Sequence, residues 1–266
     1  MKKELILVKL GGSVITDINV PNKARMGNVK RLVAEIGRAA AAGRGVIVGH
    51  GAGSFAHVPA HKYRVNEGFI NNKSRIGASI TQLSAAELHR IIVAEFVKAG
   101  IEVFSFSPSS SAIARSGRIV QWDTKPMEAA LEKGFVPLVY GDVAIDAKQG
   151  VCIASTEEVF RYLSSKFKPA KVVIGTDVDG VFDKDPKTLK SATLIPRINW
   201  LGDRTVTFSS NRKFDVTGSM KRKVELMYEI AKTSKTRCYI VNANVPDRLY
   251  RAMTGKSIRS TIVEID

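Results

Sequence analysis

The sequence predicts an α/β fold, an αβα sandwich built around a largely parallel central sheet. Three observations predict it. Short runs rich in Val and Ile alternate with stretches of helical period, the order expected when helices cross between parallel strands. Three of those runs end at turns rich in glycine or aspartate: Lys9-Leu10-Gly11-Gly12-Ser13, His50-Gly51-Ala52-Gly53-Ser54-Phe55-Ala56-His57, and Thr176-Asp177-Val178-Asp179-Gly180. No repeat or low-complexity linker divides the 266 residues, which points to one continuous unit.

Each element has its own warrant. Glu4–Leu10 reads as a strand closing at the first glycine turn. Asn28–Ala42 repeats Val29, Leu32, Val33 and Ile36 at helical spacing and stops near Gly43. Gly45–Gly49 is a buried strand, and Ala78–Ala99 a long amphipathic helix striped by Ile80, Leu83, Leu88, Ile91, Ile92 and Phe96. Glu102–Phe106 is the next strand. Ser111–Ala114 and Arg118–Trp122 flank Arg115-Ser116-Gly117 as a hairpin, and Val143–Asp146 and Val151–Ala154 form a second around Ala147–Gly150. Between them, Val136–Tyr140 returns to the core. Glu157–Phe167 is helical, Lys171–Gly175 a strand, Val216–Thr233 a helix, and Arg237–Val241 and Ser260–Ile265 strands. Within residues 1–266 the expected lobes are about 1–154 and about 155–266, the second taking the nucleotide.

Composition narrows the function classes. The chain is 44% hydrophobic and 25% charged, ordinary for a globular protein. No apolar run approaches the roughly 18 residues of a membrane span, and the N-terminus lacks the long apolar region of a signal peptide. Cys152 and Cys238 follow no metal or disulfide spacing. A cytoplasmic protein with two free thiols is expected. The net charge of +16 attracts polyanions, but the basic residues are scattered and aromatics make up only 7%. Those features argue against nucleic acid as the main partner and for small phosphorylated molecules steered by the same field.

The turns carry the chemistry. Glycines just past strands let backbone N–H groups approach phosphate oxygens, and a following helix adds its positive end. Lys9 can neutralise charge on a transferring phosphoryl group beside Gly11, Gly12 and Ser13, although the same glycines suit a plain strand–helix connection. The motif is not a Walker sequence. Asp177 and Asp179 can contact ribose, orient a lysine or organise Mg²⁺ waters, whereas Asp-Gly is also an ordinary turn signal. Phe214–Lys221 opens a helix in which Lys221 would face polyphosphate. Of four histidines, His61 and His89 have no partners in sequence, and His50 reads as scaffold. His57, after an anion-binding turn, reads as a site residue.

Lys9–Ser13, His50–His57, Gly141-Asp142-Val143, Thr176–Val181 and Asp215–Lys221 occur in the order of the amino acid kinase superfamily. The surroundings of His57 resemble the isopentenyl phosphate kinases within it, over nearly the whole chain. The resemblance implies phosphoryl transfer from ATP, with Mg²⁺, to isopentenyl phosphate, a place in isoprenoid biosynthesis by a mevalonate route, and a homodimer. By position, Lys9 with Gly11, Gly12 and Ser13 would hold the transferring group, with His57, Lys9 and Lys221 the catalytic set. His57 would hold the acceptor phosphate beside Gly51, Ala52 and Gly53, with Ser155 and Thr156 nearby. Thr176, Asp177, Asp179 and Gly180 would line the nucleotide site, and Gly218 and Lys221 would reach the ATP phosphates. No residue is expected to ligate metal directly. An acceptor tail would need an apolar pocket, for which Ile76, Ile80 and Leu83 are candidates.

The chain departs from that pattern at three places. Ala56 stands where the family usually has glycine. Ile18 follows Asp17 where the family often has lysine, leaving Lys23 or Arg25 as substitutes. Ser155-Thr156-Glu157-Glu158 replaces Ser-Gly-Asp-Asp. No strong base is needed, because the second ionisation of a phosphate monoester falls at about 6 and its oxygen is already nucleophilic near neutrality. Two alternatives stay open: a fosfomycin-kinase-like phosphonate kinase, and a non-catalytic nucleotide- or nucleic-acid-binding regulator.

Overall fold

A computed structural model describes residues 4–199 and 219–265. The chain begins with β1 (Leu5–Leu10), α1 (Gly12–Ile15), α2 (Met26–Ala41), β2 (Gly45–His50), α3 (Gly53–Lys62) and α4 (Ser74–Lys98). It continues with β3 (Val103–Ser105), α5 (Pro108–Ser111), β4 (Ile113–Arg115), β5 (Arg118–Gln121), α6 (Lys125–Glu132), β6 (Val136–Tyr140), β7 (Asp142–Asp146) and β8 (Gly150–Ala154). It ends with α7 (Thr156–Phe167), β9 (Lys171–Thr176), β10 (Val181–Phe182), β11 (Leu194–Ile195), β12 (Arg197–Asn199), α8 (Ser219–Ser234), β13 (Arg237–Asn242), α9 (Arg248–Met253) and β14 (Ser260–Glu264).

Eight strands form the main sheet in the order β12-β14-β13-β9-β1-β2-β6-β3. Every neighbouring pair is parallel except β13 with β14. Both faces are covered, so the central strands read as continuous apolar runs. Leu7, Ile47, Val139, Val172 and Ile240 pack under α6, α7 and α8 through Met127, Phe160, Leu163, Val224 and Met227. Ile6, Val8, Val48, Leu138 and Val173 pack on the opposite face under α2, α4 and α9. The αβα sandwich is thus the observed architecture. The two hairpins form as expected and join in a separate four-stranded sheet, β5-β4-β7-β8, through the parallel pair β4–β7.

Chain order reverses at the centre of the sheet. β1, β2 and β6 run outward on one side, and β9 and β13 on the other. The crevice at the C-terminal ends of β1 and β9 is therefore the switch point at which open α/β sheets take ligands.

Several elements differ from expectation. α4 starts at Ser74, a turn before Ala78, because the Ser74 hydroxyl accepts the N–H groups of Ile70 and Asn71 at 3.0 and 3.1 Å. α1, α5, α6 and α9 and the short strands β10–β12 were not anticipated. The described part of the helix expected over Val216–Thr233 begins at Ser219, and Asp215, Thr217 and Gly218 lie outside the described residues.

Candidate active site

β1 delivers Lys9 to the switch point, on the sheet face that α7 covers. Its ammonium meets Glu157, in the first turn of α7, at 2.5 Å, and both side chains are buried. Burial pulls the Lys9 ammonium below its usual value against the attraction of Glu157. Burial opposes ionisation of Glu157 too, but the charges of Lys9 and Lys223 outweigh it and hold that carboxyl at about 2. The pair is ionic. Glu157 Oε1 is buried without a hydrogen-bond partner among the described residues. A buried ion pair is a poor way to gain stability, since desolvation offsets much of the attraction. Its position explains it better than its energy does.

The first two glycine turns meet beside this pair. A methyl group on Gly12 would lie 2.6 Å from the Gly53 nitrogen, and one on Gly51 would lie 2.8 Å from the Gly12 nitrogen. Only residues without a Cβ allow that backbone contact. Thr16 clips the turns together, donating its hydroxyl to the Gly12 carbonyl at 2.7 Å and accepting the Ser54 N–H at 3.0 Å. Gly53 opens α3 with φ +49°, which favours glycine. The first N–H groups of α1 and α3 have no acceptor within their own helices, and Thr16 takes the one on Ser54.

His57 stands exposed in the second turn of α3. Partial desolvation, then the charges of Lys9 and Lys223, keep its imidazole below the usual value, so it is neutral at pH 7 and can donate one N–H. Lys9, Glu157, His57 and Lys223 therefore form one electrostatic cluster. On α8 the cation whose charge reaches this cluster is Lys223, two residues beyond the expected Lys221. Lys221 is exposed on α8, whereas Lys223, two residues on, is half-buried and on the side facing the cluster. The TGSMKRK stretch contains both lysines, and only helical phase separates them.

The third turn is occupied differently. Asp177 accepts Lys187 Nζ at 2.5 Å, and the Ser13 hydroxyl also reaches its carboxylate, joining this turn to the first. Burial opposes its ionisation, but Lys187 holds the carboxyl below the usual range. Asp179 is spent on Arg248, on Arg259 Nε at 2.9 Å and on Asn242 Nδ2 at 3.2 Å. The Thr176 hydroxyl donates to the Val178 carbonyl at 2.9 Å. Gly180 runs so close to Thr261 on β14 that any side chain would collide with it. Thr176, Asp179 and Gly180 thus hold the turn in shape, and Asp177 is the member that reaches toward Ser13.

Other expected residues fall as follows. Ser155 caps α7 by accepting the Glu158 N–H at 3.2 Å. Thr156 is buried and its hydroxyl donates to the His50 carbonyl at 2.7 Å, so it offers no side-chain group to a ligand. Ala52 and Ala56 pack against Ala85 and Tyr140. Arg25 Nη1 sits 3.5 Å from the Ser13 carbonyl, while Lys23 faces Asp17 at 3.8 Å. Ile76 and Leu83 are exposed on the outer face of α4. Ile80 lines a cleft of about 260 Å³ with Pro21, Phe55, Val58, Pro59 and Tyr63. That cleft is on the side of α3 turned away from His57, since Phe55, Val58, Pro59 and Lys62 share one helical face.

A Lys-bearing glycine turn touching a second glycine turn at the switch point is also where the family sequence model matches, over residues 4–242. The chain belongs to the amino acid kinase family. Within that family it is 34% identical to the isopentenyl phosphate kinase of Methanothermobacter thermautotrophicus, over 97% of this chain and 98% of the relative. It is 30% identical to the isopentenyl phosphate kinase of Methanocaldococcus jannaschii, over 95% of this chain and 96% of the relative. An X-ray structure of isopentenyl phosphate kinase superposes with a TM-score of 0.85 at 31% identity, covering 97% of this kinase and 99% of that chain. These similarities place this kinase among the isopentenyl phosphate kinases. Among the described residues, no helix is long and apolar enough to cross a membrane.

Proposed function

We infer that this kinase transfers the γ-phosphoryl group of ATP to isopentenyl phosphate, giving ADP and isopentenyl diphosphate. The buried Lys9–Glu157 pair, set where two glycine turns touch, carries the reading. It costs desolvation and returns a fixed cation at the point where phosphoryl charge would pass. The near full-length likeness to isopentenyl phosphate kinases supports the choice of acceptor.

The chemistry follows from the residues. Lys9, oriented by its ion pair with Glu157, supplies positive charge, and the Lys223 charge adds to it. Neutral His57 donates an N–H to the acceptor phosphate, and the backbone N–H groups of the Gly51–Gly53 turn add to it. The acceptor oxygen, already ionised, attacks in line, and the protein contributes position and charge rather than a base. The Thr176–Gly180 turn borders the nucleotide. Among the described residues, no group of three or more His, Cys, Asp or Glu side chains could hold a metal. In this reading Mg²⁺ would come bound to the ATP phosphates and water, as Mg²⁺ commonly does, and would neutralise phosphate charge. The product would feed isoprenoid assembly by a mevalonate route in the cytoplasm.

A homodimer belongs to the same reading. Ile76, Leu83 and Val97 recur at multiples of seven along α4 and are exposed, Arg90 filling the step between them. Beside them β3 ends the main sheet with Phe104 exposed, and an unpaired edge strand is a ready pairing surface. A dimeric mass by analytical ultracentrifugation, reduced by Leu83→Glu, would support the dimer.

The activity is tested by coupled ADP release from Mg·ATP with isopentenyl phosphate, dimethylallyl phosphate or fosfomycin as acceptor. Highest turnover is expected with isopentenyl phosphate. Turnover with fosfomycin alone, or with none of them, overturns the reading.

A further inference from the structure

Directly behind the Gly51–Gly53 turn lies a buried polar chain that the phosphoryl transfer itself does not use. His50, the last residue of β2, is fully buried, its ring near-parallel to those of His89 and Tyr140 with centroids 5.2 and 5.5 Å away. His50 Nδ1 is 3.1 Å from the Gly51 carbonyl oxygen, and His50 Nε2 is 2.9 Å from His89 Nδ1. His89 Nε2 in turn meets the Ser105 hydroxyl at 2.8 Å.

A carbonyl can only accept, so the His50 proton must reside on Nδ1. His50 Nε2 then accepts from His89 Nδ1–H, and His89 Nε2 accepts from the Ser105 hydroxyl. One set of tautomers satisfies every atom with both rings neutral. Burial agrees, pushing His50 down to about 3 and His89 to about 4.

The consequence falls on one peptide group. The Gly51–Ala52 bond is trans, so its C=O and N–H point in opposite directions. With the carbonyl drawn inward onto His50, the Ala52 N–H is turned away from the core, and no described residue accepts it. Gly51 also touches Gly12 and approaches the Lys9 side chain, which sets that N–H beside the two turns. An apolar side chain would fill the same buried space at lower desolvation cost, so the imidazole needs a reason beyond packing.

We propose that His50 is a positioning residue for the acceptor phosphate: its Nδ1–H holds the Gly51 carbonyl inward and thereby presents the Ala52 N–H to the phosphate, while His89 and Ser105 lock the tautomer that does so. The proposal rests on the reading of the Gly51–Gly53 turn as the acceptor site.

Two substitutions separate the ring's two bonds. His50→Asn keeps an N–H near the Nδ1 position and gives up His89; His50→Gln reaches the Nε2 position and gives up Gly51. Steady-state kinetics with isopentenyl phosphate and Mg·ATP are measured for both, beside His57→Ala. The Gln variant is expected to raise the KM for isopentenyl phosphate about tenfold, the scale of one lost hydrogen bond to a charged group, with the ATP KM within about twofold. The Asn variant is expected to stay within about threefold of the parent on both. Equal isopentenyl phosphate KM values for the two variants, at any level, overturn the proposal, as does a better Gln than Asn. Unchanged isopentenyl phosphate kinetics in His57→Ala overturn the reading of the turn itself. A His57 effect with no Asn–Gln difference removes only the role given to His50.

Discussion

The Gly12–Gly53 contact and the Thr176–Gly180 turn look alike on paper and behave differently in space. Each follows a buried strand and mixes glycine with polar residues. In the first, the glycines are demanded by backbone touching backbone, and Lys9 is buried against Glu157 in one electrostatic cluster with the exposed His57. In the second, the polar residues that seemed chemically promising are consumed: Asp179 by Arg248, Arg259 and Asn242, and Thr176 by nearby carbonyls. A motif supplies polar atoms; its neighbours decide which remain available for a ligand.

The comparison can be broken most sharply at Lys9. Lys9→Met should lower kcat about a thousandfold, the upper range for removing one fixed group that stabilises transferring charge. It should also cost about 3 kcal/mol in urea denaturation, because Glu157 is left as an uncompensated buried charge. Retained turnover would empty the first region of its role. The next effect is on α8. Lys223→Met should reduce kcat about a hundredfold and Lys221→Met less than about twofold, read in the same ADP-release assay. The reverse ranking would return the role to Lys221.

Within the third turn, the two aspartates should part company. Asp179→Asn should lower stability by about 1–2 kcal/mol by loosening Arg248 and Arg259, with the ATP KM little changed. Asp177→Asn should do the opposite, raising the ATP KM several-fold with little effect on melting. Equal behaviour would erase the distinction between holding and facing residues.

The last effect is graded with pH. His50 and His89 titrate at about 3 and about 4 in the folded protein, against about 6.5 when unfolded. Between those values the unfolded chain binds more protons, so stability rises with pH. The contribution is fully present above about 6.5 and is lost as pH falls, at about 1.4 kcal/mol per pH unit for each histidine. Urea denaturation at pH 7, 6 and 5 should show that slope, and His50→Asn should flatten part of it. A flat profile would mean that the pair is not held neutral.

Much of this molecule was legible before folding. The alternation of apolar strands with helices gave the sandwich, and Lys9, His57 and the first two glycine turns, singled out in the sequence, come together in it. Those signals survive in sequence because strands buried on both faces must be apolar and close backbone contacts must be glycine. Other features were not legible. α9 starts where the Glu35 carboxylate, on α2, accepts the N–H groups of Asp247 and Tyr250 at 3.1 and 3.0 Å, a cap drawn from the far end of the chain. Lys221 and Lys223 differ only in helical phase, which has meaning once α8 has docked. Glu157 read as a departure from a family pattern and became the partner of Lys9 only when α7 lay across β1.

The sequence by itself determined the layers, the three turns and the residue types able to handle phosphate, because local sterics and burial act on each segment separately. The tertiary structure alone decided which lysine, which aspartate and which histidine come to lie together and which are buried. That placement depends on distances between groups far apart in the chain, and the loss of water around Lys9, Glu157 and His50 arises only when the elements close over them.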